Sequence, residues 1–153
     1  MSLQEQTARD IADAIANART WLGELDECTV REKPSPERWS IAEVMGHLID
    51  SANNNHQRFI RAQDAESLTF PKYDQNQWVA NAGYHDSPWD EILDLWALYN
   101  LQLARTIARI PTSQLETECT ITPYEPCTLG YLITDYLDHL NHHLSIVRQR
   151  VSP

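Results

Sequence analysis

Between Thr128 and Arg150 the chain reads TLGYLITDYLDHLNHHLSIVRQR, and no residue within it breaks a helix. Leu132, Tyr136, His139 and His143 recur at helical spacing, which places two imidazoles on the same face as the apolar residues. Thr128, just ahead of Leu129, is suited to cap the first turn. Histidines at i and i+4 stack one turn apart and can clamp a single metal ion, leaving one side of its coordination open. Two ligands make a weak site, so a third donor has to come from another part of the chain.

The other long segments also read as helices. Ala8, Ile11, Ile15, Ala18, Leu22 and Leu25 follow three- and four-residue intervals, which predicts one amphipathic helix over Leu3–Glu27 with Glu5, Arg9, Asp13 and Glu24 toward solvent. Cys28 to Arg38 holds Lys33-Pro34-Ser35-Pro36 and reads as a loop. Ser40-Ile41-Ala42-Glu43 is a capping box that opens a second helix. Its inward stripe, Ile41, Val44, Leu48, Ser51, Asn55 and Phe59, turns polar in the middle, and His47 lies beside it with Asp50 three residues on. Gln63–Ser87 is a long connection with room for a short helix over Asp74–Ala80 and with Tyr73, Trp78 and Tyr84 as its large side chains. Connections of this length either pack by themselves or serve as a lid or rim. Ser87-Pro88 predicts the start of a third helix, with Ile92, Leu95, Trp96, Tyr99, Leu103 and Ile107 as its buried face and Pro111 as its stop. Thr112 to Cys127 is irregular and extended in part.

Four glycines and no long β-branched alternation favour helices over sheet. The predicted fold is all-α: one domain over residues 1–153, a four-helix bundle whose long second and third connections permit a topology other than simple up-and-down. No apolar run approaches the roughly 20 residues of a membrane span. The start, MSLQEQTARD, lacks the pattern of a signal peptide, so the expectation is a soluble, cytoplasmic protein. A formal net charge of −10 and the lack of a basic cluster argue against nucleic acid as a partner. Cys28, Cys119 and Cys127 lack zinc-ribbon spacing and read as buried or semi-buried free thiols.

Of the six histidines, His56 lies about half a turn round the helix from His47, so the two cannot face one site. His85 falls in a connection. The economical triad is His47 with His139 and His143, although an i, i+3 pairing of His139 with His142 stays open. Three imidazoles suit a divalent transition ion such as zinc or nickel, with water in a fourth position. The plain alternative is three ordinary histidines packed at a helix seam.

The segment Pro36 to Ser51, PERWSIAEVMGHLIDS, resembles the second-helix signature of the DinB/YfiT-like superfamily. His139-Leu140-Asn141-His142-His143-Leu144, preceded by Thr128-Leu129, resembles the final motif of that family, and Tyr73-Asp74 with Trp78 its middle segment. The resemblance implies a four-helix bundle, often a homodimer, with a three-histidine metal site that maps onto His47, His139 and His143. His142 would be a substitute ligand. It also implies metal-dependent chemistry on a small molecule, either hydrolysis or a transfer that uses a low-molecular-weight thiol. Asp50 is the candidate catalytic or ligand-orienting carboxylate, and Tyr73, Trp78 and Tyr84 are candidates to wall the pocket or simply to pack the connection. Many relatives carry an arginine in the third helix near Tyr99-Asn100, where this chain has none. A non-catalytic bundle, for metal binding, stress response or dimerisation, is the competing expectation.

Overall fold

Each of the four long periodic segments forms a helix, and the computed structural model describes residues 1–153. They are α1 (Leu3–Leu22), α3 (Ile41–Gln63), α5 (Trp89–Ala108) and α6 (Leu129–Val151), with α2 (Glu27–Arg31) and α4 (Gln75–Ala82) as short helices between them. Helix α1 packs on α5 and α6, and α3 packs on the same two. The first and second long helices therefore occupy opposite corners of the bundle, an order that simple up-and-down winding does not produce.

The local signals explain most boundaries. The Ser40 hydroxyl accepts from the Glu43 amide at 3.2 Å, and the Glu43 carboxylate accepts from the Ser40 amide at 3.1 Å, which completes the capping box. Thr128 caps α6 through the Tyr131 amide at 3.0 Å. Helix α1 is shorter than predicted. It ends at Leu22, and Asp26 caps α2 inside the stretch expected to be a loop. The Ser87 cap does not form: α5 begins one residue later, after Pro88, and the Glu27 carboxylate of α2 accepts from the Trp89 amide at 3.2 Å. A side chain from a distant turn has taken the place of the local one.

The two long connections pair with each other. Strand β1 (Ser67–Pro71) runs parallel to β2 (Glu118–Thr122) in the register Ser67 to Glu118 through Pro71 to Thr122. Strand β3 (Cys127–Thr128) lies antiparallel to β2 and leads directly into α6. The small sheet thus sets where α6 begins, and Leu68, Cys119 and Ile121 bury its inner face against the helices.

The core centres on Trp96, Phe59, Leu103, Ile107 and Ile133, all 0% exposed. Leu95, expected to be buried, is 50% exposed, as Leu98 beside it is at 59%. Helix α5 turns Ile92, Trp96, Leu103 and Ile107 inward, and Leu95 falls on the edge away from them. Cys28 is exposed rather than buried because α2 presents Val30 to the core instead, whereas Cys119 is buried and Cys127 half-buried. No helix is long and apolar enough to cross a membrane.

Candidate metal centre

His47 enters the interior at the second turn of α3 and is 1% exposed. His139 and His143 descend the facing side of α6, half-buried. One potential ligand nitrogen from each residue falls within 4.8 Å of the other two. The Nε2 atoms of His47 and His139 are 3.1 Å apart, and the three rings pack edge to face with centroids 4.5–5.0 Å apart. A tetrahedral ion with nitrogens at about 2.0–2.1 Å separates neighbouring donors by roughly 3.3 Å, so this set could hold one ion.

The surroundings favour neutral rings. Burial pushes the His47 pKa down to about 3, with His139 and His143 adding to the effect, and burial likewise brings His143 to about 4. His139 is lowered mainly by burial, against the pull of Asp135. No carboxylate hydrogen-bonds to any of the three, and the Nδ1 of His47 is buried without a partner. Three desolvated imidazoles with ligand nitrogens near one another, and no polar partner beyond the His47–His139 contact, fit a divalent ion.

Trp39, just ahead of α3, closes one side of the cluster, its ring centroid 5.0 Å from that of His47. Its carbonyl accepts from Arg150 at 2.7 Å, which ties the end of α6 to the start of α3 and holds the two ligand-bearing helices together. On the other side His47 and His139 face a cavity of about 1010 Å³. Its floor is the α3 face of His47, Ser51, Asn55 and Arg58, and its rim comes from both long connections through Lys72, Tyr73, Tyr124 and Cys127.

The remaining predicted residues separate. Tyr73 lines the cavity; Trp78 stacks on it at 5.2 Å without lining it. Tyr84 and Asp50 lie outside the cavity: the Tyr84 hydroxyl donates to Asp50 Oδ1 at 2.7 Å, and no hydrogen bond joins Asp50 to His47. Burial raises the pKa of Asp50, which its bond to Tyr84 partly offsets. His56 bonds Tyr99 at 3.0 Å and His85 bonds Ser40 at 3.2 Å, both away from the cluster. His142 is exposed and is not one of the three converging rings. Asn100 of α5 is fully buried and accepts from the hydroxyl of Tyr136, a cavity residue.

Gly46 is required by this packing. A β-carbon there would overlap the Tyr84 ring, so Gly46→Ala is expected to displace Tyr84 and free Asp50. Overpacking costs about 1–3 kcal/mol, and the gain in helix propensity returns about 1, leaving a net loss of up to about 2 kcal/mol. Urea unfolding of the variant measures it; unchanged stability would show that the ring yields freely.

A helical bundle of crossed topology, with three imidazoles from two helices converging beside an open cavity, defines the class. Residues 10–147 match the family model of the DinB superfamily, and the chain belongs to that superfamily. Among solved structures it is similar to YfiT from Bacillus subtilis, described as a probable metal-dependent hydrolase with an unusual four-helix bundle topology. That likeness has a TM-score of 0.84 at 16% identity and covers 96% of this chain and 86% of the other. None of the curated proteins compared with the chain matches it.

Residues outside the expected set complete the cavity: Arg58, Lys72, Tyr124, Cys127 and Asp135. For Arg58 a signal was present. It lies eleven residues after His47, three helical turns on, and therefore on the same face. Tyr124 and Cys127 had no such signal, because the strand pairing that brings them in is not periodic.

Proposed function

We propose that this chain is a metal-dependent enzyme acting on a small molecule, with His47, His139 and His143 as the ligands of a divalent ion. The observation that carries this reading is the convergence of three imidazoles, one buried and two half-buried, whose one hydrogen-bond contact is between two of themselves. When bound, the ion supplies Lewis acidity, lowering the pKa of a nucleophile at its open position. The chain's own residues do the rest. Trp39 shields one side of the cluster from water, while Ser51, Asn55 and Tyr73 present polar groups along the route to it. Burial raises the pKa of the Tyr73 hydroxyl, so it keeps its proton and serves as a hydrogen-bond donor to substrate rather than as a base. Asp50 and Tyr84 enter as a brace that holds the first turns of α3, not as groups that touch substrate.

Hydrolysis is the leading reaction, in line with the description of the structurally similar Bacillus protein. Transfer through a low-molecular-weight thiol uses the same activated position and is the second reading. Zinc and nickel are the ions a three-imidazole set suits best. Elemental analysis of untagged protein, followed by assay of the zinc- and nickel-loaded forms with ester, amide and thiol–electrophile substrates, tests the proposal. The expected result is about one ion per chain and turnover that chelation removes. Metal retained in full with no turnover on any substrate would leave a binding protein instead.

A further inference from the structure

Arg58 is 9% exposed and lines the cavity. Its guanidinium has no ion-pair partner, its Nε has no hydrogen-bond acceptor, and its one polar contact is a long 3.5 Å bond to Asn55 Oδ1. The ring of Phe70 lies 5.5 Å beneath it. Arginine stays charged at any pH that proteins tolerate, so this is a buried cation without a counter-ion. The charge of Asp135 acts on it only from a distance, and no acidic residue of the cavity pairs with it. Asp74 is exposed and engaged as the cap of α4, while Glu125 and Asp135 are exposed and make no ion pair. Burying an unpaired charge is costly, and folded proteins keep such an arrangement where a ligand supplies the missing partner.

We propose that Arg58, with Lys72 at the rim, forms an anion-binding subsite that receives a carboxylate or phosphate group of the substrate at the end of the cavity away from the histidines. Arg58 is eleven residues along α3 from His47, so their α-carbons stand about 16 Å apart. The anion is thus a remote handle, and the atom that reacts lies near the other end of the molecule. A guanidinium fork suits the paired oxygens of either group, and Lys72 adds a second, mobile charge. This narrows the substrate class of the proposed enzyme to small anions; it rests on that reading for the word substrate, but not for the binding itself.

The test uses metal-free protein, so that an anion cannot report on an ion in the histidine cluster. Inorganic phosphate and succinate are titrated separately by calorimetry and by NMR shift perturbation, and the tighter of the two identifies the favoured group. Saturable binding is expected, weakened about tenfold or more in Arg58→Gln, less in Arg58→Lys, and less again in Lys72→Gln. Arg58→Met separates recognition from scaffolding: if the charge serves a ligand, this variant melts no lower than the parent and no longer binds either anion. A melting temperature that drops in Arg58→Met would assign the arginine to the fold and overturn the proposal. So would equal binding by Arg58→Gln, or the absence of binding of both anions by folded parent protein. Anion binding in a protein that takes up no metal would keep the subsite and remove the enzyme reading; metal uptake without anion binding would do the reverse.

Discussion

Substitution of His47 by alanine is expected to strip the protein of its metal while leaving the bundle folded. His139 and His143 both stand on α6, and His47 is the sole donor from the facing helix. Without it, two imidazoles one turn apart remain, and these hold an ion weakly. The expected change is about a thousandfold in Kd, on the order of 4 kcal/mol. Such a loss is read by elemental analysis after dialysis and by competition with a colorimetric chelator. Circular dichroism should show the helices intact, because the ring makes no hydrogen bond to the scaffold and its one hydrogen-bond contact is with His139. His142→Ala is the control. Its ring is exposed and outside the converging set, so metal content should not change. Full occupancy in His47→Ala would show that the ion, if there is one, is held elsewhere.

Metal-free protein should lose stability steeply below neutral pH. The His47 pKa is pushed down to about 3 and that of His143 to about 4, against an unfolded value near 6.5. Between about pH 6.5 and 4 the unfolded chain therefore binds protons that the folded chain refuses, and stability falls as pH falls. For His47 alone this amounts to roughly 2 kcal/mol on going from pH 7 to pH 5. His139 and His143 act in the same direction. Asp50 opposes them: burial raises its pKa, so its charged form costs stability at neutral pH, and acid relieves that cost. Denaturant midpoints at pH 7, 6 and 5 measure the net slope, and His47→Gln should flatten it. A slope unaltered by that variant would place the acid sensitivity in other groups. In loaded protein, acid acts by competition of protons with the ion for the same nitrogens.

Overall charge and the lining of the cavity point to different classes of ligand. A net charge of −10 argues against polyanions such as nucleic acid, and the sequence holds no basic run. Yet the one cation buried in the cavity, Arg58, lies over the ring of Phe70, with Tyr73 and Asn55 lining the same space. A small anion that enters the cavity meets the local guanidinium, and the acidic exterior repels it only across screened distances. Net charge bears on polyanions that would dock on the surface; it does not decide what a pocket binds.

Much of this protein was determined by residues that speak for themselves. The periodic apolar stripes specify four helices, because a helix with one apolar face has to bury it. The Ser40 capping box and the Thr128 cap specify where two of them begin, because those hydrogen bonds are made within four residues. The spacing of His139 and His143 specifies that both rings face inward together. What the chain could not declare alone lies in contacts between distant segments. The parallel pairing of Ser67–Pro71 with Glu118–Thr122 joins two five-residue stretches too short for alternation to register, and backbone pairing carries no side-chain signature. The same holds for the Glu27 cap of α5, for the loss of Leu95 to solvent and for the seating of Tyr84 over Gly46. Only the crossed packing of α1 and α3 at opposite corners sets α3 against α6 and brings His47 to the histidine pair, and that depends on how all four apolar faces are satisfied at once.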